Sequence, residues 1–156
     1  MLTVSSINVN GVRAAAPKGL SDWLAGTDAD VVCLQECRAL PEEFPELPPG
    51  WALTYAPCTT AKGRNGVGVL TRQPPEAVRI GFGSTEFDAQ GRYLEVDLPG
   101  PAGGPGLTVG SLYLPNGTAQ TPKQDEKDRF LAEFAPYLVE RAAKAAAEDR
   151  EVLVCG

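Results

Sequence analysis

One apolar run that ends in a carboxylate constrains the fold of this chain more than any other feature. Val31–Arg38 reads Val-Val-Cys-Leu-Gln-Glu-Cys-Arg, and Val31–Gln35 is typical of a strand buried on both faces. The charge of Glu36, at the end of that strand, is costly to desolvate unless a cation or hydrogen bonds compensate it. Ligand sites in α/β proteins often lie at the carboxyl ends of strands. Glu36 is therefore the first candidate site residue, and an ion pair with a basic side chain is the competing interpretation.

Hydrophobic periodicity predicts one mixed α/β domain around this strand, with no internal boundary in 156 residues. The amphipathic segment Gln124–Ala147 is predicted to be helical, and Pro136 inside it predicts a kink or two abutting helices. A shorter helix is predicted at Lys18–Ala25, and the proline-rich Leu40–Pro49 should hold at most one helical turn. The other predicted strands are Leu2–Asn8, Trp51–Pro57, Gly66–Thr71, Ala77–Ile80, Tyr93–Leu98, Leu107–Leu114 and Val152–Cys155.

The absence of histidine excludes several kinds of site. Without histidine, and with four cysteines that form no Cys-x-x-Cys pair, these residues offer no mixed Cys/His zinc site and no Ser-His-Asp or Cys-His catalytic arrangement. The cysteines are predicted to be reduced and structural. No run reaches the roughly 18 apolar residues of a membrane span, and the N-terminus lacks a signal-peptide pattern. These observations predict a cytoplasmic protein without a membrane partner.

Charge is unevenly distributed along the chain. A net charge of −6 argues weakly against a nucleic-acid partner. Between Cys58 and Arg79, however, four cations accompany a single acid. A locally basic loop on an acidic protein is compatible with phosphate contacts at one edge, although solvated loop charges explain the pattern equally well.

Three predicted strands end in polar side chains, which are Asn8, Glu36 and Tyr113. If the strand Leu107–Leu114 lies beside strands one and two in one sheet, the three side chains converge. A carboxylate, an amide and a phenol form an oxygen-rich site of the kind that Mg²⁺ prefers, with its shell completed by water and substrate phosphate. The arrangement indicates metal-assisted phosphoester cleavage.

Five short motifs occur in an order typical of one known family. They are Ser6-Ile-Asn-Val-Asn-Gly-Val-Arg13, Asp30-Val-Val-Cys-Leu-Gln-Glu36, Lys62-Gly-Arg-Asn-Gly-Val67, Gly91-Arg-Tyr93 and Ser111-Leu-Tyr-Leu-Pro-Asn-Gly117. Together they resemble the exonuclease III / AP endonuclease family of the endonuclease–exonuclease–phosphatase superfamily. The resemblance implies an α/β fold, the first half of a four-layer α/β sandwich of the DNase I-like type, with a mixed, mostly antiparallel sheet and flanking helices.

The resemblance also implies roles for individual residues. Glu36 matches the metal-binding glutamate, Asn8 matches the asparagine that sets up the metal site, and Tyr113 matches the active-site tyrosine near the scissile phosphate. The implied cofactor is Mg²⁺, with Mn²⁺ as a substitute. For the cations in the implied DNA-binding set, ordinary surface charge is the alternative interpretation. That set is Arg13, Lys62, Arg64, Arg92 and Asn116.

The implied activity is hydrolysis of DNA phosphodiesters in base-excision repair, at abasic sites and at the 3′ ends of duplex DNA. The family continues with Asp-x-Asn, a later Asp-containing segment and Ser-Asp-His, and none of these is present. Residues 1–156 are therefore expected to be a domain truncated after its first half, inactive until the missing C-terminal half completes the site. The alternatives are another phosphatase or phosphodiesterase of the superfamily, a non-enzymatic remnant or DNA-binding module, and a chain that pairs with a separately encoded second half.

Overall fold

The computed structural model describes residues 2–156, which form eight strands and three α-helices. Four short 3₁₀ turns lie in the connections, and one of them, Pro41–Glu43, is the single turn expected in the proline-rich segment. The helices are α1 (Val12–Ala15), α2 (Leu20–Gly26) and α3 (Pro122–Ala147). The strands are β1 (Val4–Asn8), β2 (Val31–Gln35), β3 (Ala52–Ala56), β4 (Val67–Thr71), β5 (Ala77–Ile80), β6 (Tyr93–Leu98), β7 (Gly106–Leu112) and β8 (Arg150–Cys155).

The strands form two sheets of four strands each, in the orders β1-β2-β4-β3 and β5-β6-β7-β8. Each sheet contains one parallel pair, β1–β2 in the first and β7–β8 in the second. The other four pairings are antiparallel. The predicted mixed, mostly antiparallel α/β architecture is therefore confirmed.

Three apolar clusters hold four layers together, because each sheet buries both of its faces. Helices α1 and α2 cover the outer face of the first sheet through Val12 and Leu24. The inner faces of the two sheets meet through a cluster that includes Val69 and Val96. Helix α3 covers the outer face of the second sheet with an aromatic cluster of Phe87, Tyr93, Phe130 and Phe134.

The predicted element bounds agree with the structure to within two residues at either end, and Val31–Gln35 is confirmed at both ends. Of the two outcomes predicted around Pro136, the structure excludes abutting helices: the segment is one helix, and the proline lies on its exposed side. The placement of Tyr113 in the first sheet is wrong. The strand before Tyr113 is not beside β1 and β2, because β7 belongs to the second sheet. No helix within residues 2–156 has the length and apolar character needed to cross a membrane.

Candidate active site

The carboxylate of Glu36 lies at the centre of the candidate site. Its Oε1 accepts a hydrogen bond of 2.7 Å from Asn8 Nδ2, and its Oε2 is paired with the guanidinium of Arg38. Asn8 is the last residue of β1 and lies opposite Gln35, the last residue of β2. Parallel pairing therefore brings the two strand ends, and the side chains that follow them, to the same edge of the first sheet.

The backbone around Glu36 adopts a conformation that is rare for residues other than glycine. The φ angle is +52° at Glu36 and +51° at Arg38. Such residues cost roughly 1–3 kcal/mol each and persist where the surrounding structure fixes them. Here the carbonyl of Glu36 accepts a hydrogen bond from Gly11 N at 2.7 Å, and Arg38 N donates to the carbonyl of Asn65 at 2.8 Å. The turn after β2 is thus held between the loop after β1 and the basic loop before β4.

Tyr113 approaches the site from the second sheet. It directly follows β7, and its backbone N–H donates to the carbonyl of Arg92 at 2.7 Å. The guanidinium carbon of Arg92 lies 5.6 Å from the centre of the phenol ring. Burial, followed by the charge and hydrogen bonding of Glu36, raises the pKa of Tyr113. The phenol therefore keeps its proton at neutral pH and can act as a hydrogen-bond donor.

The pKa of Glu36 is also determined by its polar neighbours, which include Tyr113. Burial alone would raise the pKa of this carboxyl, but hydrogen bonds from Asn8, Arg38 and Tyr113 outweigh the burial and lower the pKa. Glu36 is therefore ionised throughout the neutral range. The three polar strand ends singled out in the sequence do converge, although they come from two facing sheets rather than from one.

The donor set can be compared with the needs of Mg²⁺. Asn8 turns its amide nitrogen to Glu36, and its Oδ1 accepts from the N–H of Asn10 at 3.1 Å. Asn8 thereby orients the carboxylate and keeps its own oxygen occupied. Within residues 2–156 no cluster of three or more His, Cys, Asp or Glu side chains is present. The chain therefore fits a largely hydrated Mg²⁺ held by one carboxylate, which is common for this ion.

Arg38 is a site residue that sequence reasoning missed. Its side chain is 44% exposed, whereas that of the paired Glu36 is 14% exposed. The structure thus contains the ion pair that was the competing interpretation of Glu36, in the same place as the predicted metal site. The available signal was the spacing of two residues between acid and base, but their pairing depends on positive φ angles that the sequence does not reveal.

A cavity of about 640 Å³ opens beside Tyr113. Cations predominate over acids in its wall, so an anion entering it meets a net positive surface. Of the residues predicted to bind DNA, Arg64, Arg92 and Asn116 line it. Arg92 is only 9% exposed, and its guanidinium contacts Gln90 and Glu126. The charged residues in the wall are Arg38, Arg64, Arg92, Lys123 and Glu126.

The two remaining residues predicted to contact DNA, Arg13 and Lys62, both pair with another acid, Glu43. Arg13 and Lys62 approach the same oxygen of Glu43, at 3.3 Å and 3.6 Å. Arg13 also lines a second cavity of about 470 Å³, which it shares with Arg38. Glu43 thus holds a cation of helix α1 next to a cation of the basic loop before β4.

A two-sheet sandwich that brings an acid, an amide and a phenol together beside a cationic cavity has the groups of a phosphoesterase site. Comparison with known proteins agrees with that class of site. The profile of the Endonuclease/Exonuclease/phosphatase family matches residues 5–156. The chain belongs to this family.

Proteins of similar sequence carry the names of nucleases, and one is named as a DNA repair nuclease. The chain is 36% identical to exodeoxyribonuclease III of Haemophilus influenzae over 138 residues, covering 85% of this chain and 49% of the relative. It is 27% identical to the DNA repair nuclease APEX1 of Danio rerio over 159 residues, covering 99% of this chain and 48% of the relative. The chain spans about half the length of the relatives that it matches.

Solved structures support the same fold. An AP endonuclease from Archaeoglobus fulgidus superposes with a TM-score of 0.75 at 28% identity, over 90% of this chain and 52% of that structure. The catalytic domain of Xenopus laevis APE2 also gives a TM-score of 0.75, at 23% identity over 97% of this chain and 56% of that structure. The resemblance found in the five sequence motifs is therefore confirmed.

Proposed function

We propose that this chain carries one part of the active site of a Mg²⁺-dependent nuclease of the exodeoxyribonuclease III / AP endonuclease type. The reaction would be hydrolysis of DNA phosphodiesters at abasic sites and 3′ ends in base-excision repair. The observation that carries the proposal is the meeting of Glu36 and Tyr113, from two sheets, at the edge of a cation-lined cavity. The relatives named for this activity supply the substrate class.

Each side chain has a distinct part in that chemistry. Glu36 would hold the metal, and Asn8 would fix the direction of the carboxylate. A bound Mg²⁺ supplies Lewis acidity to the scissile phosphate. The protonated phenol of Tyr113 would donate a hydrogen bond to negative charge that develops on the phosphate oxygens, which stabilises the transition state. The cations of the cavity would bind the flanking phosphates.

Deprotonation of the attacking water is the step for which the candidate site, among residues 2–156, holds no suitable group. The sequence has no histidine, and the pKa of Glu36 is lowered, which makes it a poor base at neutral pH. Glu126, the acid in the cavity wall, is paired with Arg92. We therefore propose that the chain binds DNA but needs residues from a further polypeptide segment for turnover.

The proposal is tested with the purified chain and a fluorescent DNA duplex that carries one abasic-site analogue. Fluorescence anisotropy should show binding that weakens with added salt, because phosphate contacts release counterions. Gel analysis in Mg²⁺ should show no incision. Arg64→Met should weaken binding and reduce the slope of log affinity against log salt by about one.

One control variant and two contrary outcomes complete this experiment. Lys144→Met is the matched control, because Lys144 pairs with Glu140 on the exposed side of α3, towards the opposite end of that helix from Lys123, and binding should not change. Mg²⁺-dependent incision by the chain alone would contradict the predicted inactivity. Binding to phosphoinositide vesicles without binding to DNA would instead favour a lipid phosphatase of the same superfamily.

A further inference from the structure

Arg38 occupies the side of Glu36 that Asn8 leaves open. Asn8 takes Oε1 of the carboxylate, and Nη2 of Arg38 takes Oε2. Among the described residues, Glu36 is the one acid that forms an ion pair with Arg38. A metal ion bound to Glu36 therefore has to share this carboxylate with a guanidinium or displace it.

Sharing the carboxylate is unfavourable because two cations, the metal ion and the guanidinium of Arg38, would then lie next to each other. Guanidinium has only donors and keeps its charge at any physiological pH. Two cations on one carboxylate repel each other strongly where water is partly excluded, and Glu36 is 14% exposed. Arrival of a divalent cation thus favours departure of the Arg38 side chain.

The structure provides a place to which the Arg38 side chain can move. Its backbone is held by the hydrogen bond to Asn65, but its side chain is 44% exposed. The residue lines both the cavity beside Tyr113 and the cavity that contains Arg13. A guanidinium that leaves Glu36 therefore stays at the rim where phosphate groups of a nucleic acid would enter, and its planar donor set suits phosphate.

We propose that Arg38 is a positioning residue that exchanges partners: it neutralises Glu36 before the metal binds and contacts substrate phosphate afterwards. This inference rests on the proposed function. Metal binding and phosphate binding are then coupled through one side chain, and by linkage each raises the affinity of the other. The exchange requires an arginine close to the metal ligand, and Arg38 follows Glu36 by two residues.

The test measures Mn²⁺ binding to the full 156-residue chain by the electron paramagnetic resonance signal of free Mn²⁺, without DNA. Arg38→Met keeps the aliphatic stem and removes the charge, so Mn²⁺ should bind about tenfold more tightly than to the wild type, the size expected from freeing one charged hydrogen-bond acceptor. Arg38→Lys keeps a cation beside Glu36 and should stay within about threefold of the wild type. Circular dichroism of each variant checks that the fold is retained.

A second cation provides the matched control. Lys18 lines a different pocket together with Asn8, and Glu36 is not among its ion-pair partners in the described structure. Lys18→Met should therefore leave Mn²⁺ affinity unchanged, whereas an equal gain in Lys18→Met and Arg38→Met would show a general charge effect and overturn the exchange. The same DNA duplex, with Mg²⁺ present, tests the other half of the inference: Arg38→Met should lower DNA affinity and reduce the salt slope by about one.

The outcomes separate this inference from the proposed function. If the wild type and Arg38→Met bind one Mn²⁺ equally well, or Arg38→Met binds it more weakly, the exchange is overturned while the nuclease proposal stands. If neither protein binds Mn²⁺, the metal site and the exchange both fail. Tighter Mn²⁺ binding together with weaker DNA binding in Arg38→Met supports the exchange.

Discussion

Glu36→Gln should weaken Mn²⁺ binding by about a hundredfold or more, because the change removes the carboxylate proposed to hold the metal. Loss of supporting groups around a metal already costs about ten- to a hundredfold in affinity, and loss of the ligand itself should cost at least as much. Glutamine keeps the shape of the side chain and an oxygen for Asn8. Isothermal titration with Mn²⁺ measures the effect.

Glu42→Gln is the matched control for this substitution. Glu42 lies in the nearby Pro41–Glu43 turn, is exposed and forms no ion pair among the described residues. The control should bind Mn²⁺ like the wild type. Equal affinity of Glu36→Gln and the wild type would place the metal elsewhere.

The pH dependence of Mn²⁺ binding follows from the lowered pKa of Glu36. A carboxyl whose pKa is lower in the folded protein contributes its stabilising contacts above the unfolded pKa and loses them as the pH falls through the folded value. Mn²⁺ affinity should therefore be constant from about pH 7 to about pH 5. It should decline only below about pH 4.3, the ordinary pKa of a glutamate side chain. A decline centred near pH 6 would identify a different group.

Glu95→Gln should lower the free energy of unfolding by about 3 kcal/mol, the lower end of the cost of breaking a buried ion pair. The change removes one of the two acids that compensate Arg79 and Arg141, and the other acid, Asp97, still contacts both. Glu95 is fully buried beneath α3. It is paired with Arg79, accepts a hydrogen bond of 2.6 Å from the hydroxyl of Tyr93, and lies 2.9 Å from Nε of Arg141. The contact with Arg141 is ionic rather than a well-aligned hydrogen bond, because that Nε has no hydrogen-bond partner in the described structure.

Urea unfolding followed by circular dichroism measures this loss. Glu140→Gln is the matched control, because Glu140 pairs with Lys144 at 2.7 Å on the exposed side of the same helix, where ion pairs contribute little. Its unfolding midpoint should match that of the wild type. A similar midpoint in Glu95→Gln would mean that the buried network does not hold α3 on the second sheet.

The sequence predicted the local structure well because local signals determine it. Val31–Leu34 is an unbroken apolar run, and all of Val31–Gln35 is buried, so the position of this strand follows from the local sequence. The helix does not divide at Pro136, because Phe134 before the proline and Leu138 after it both pack in the cluster on the second sheet. Propensity at a single residue is routinely overridden by such tertiary contacts.

The partners of each strand were harder to predict than the strands themselves. Convergence of Tyr113 with Asn8 and Glu36 is predicted for a shared sheet, yet β7 pairs with β6 and β8 in the other sheet. Strands buried on both faces give no alternation that indicates which sheet they join. The three side chains nevertheless lie together, because both sheets present strand ends at the same edge of the sandwich.

The proposed metal site at Glu36 is tested by locating a bound Mn²⁺ on the isotopically labelled chain by nuclear magnetic resonance. Substoichiometric Mn²⁺ broadens the amide signals nearest to it. We expect broadening in three separate segments, which are residues 8–10 after β1, residues 36–38 after β2 and residue 113 after β7. Broadening confined to the acidic surface of α3, around Asp125 and Asp128, with those three segments unaffected, would contradict it.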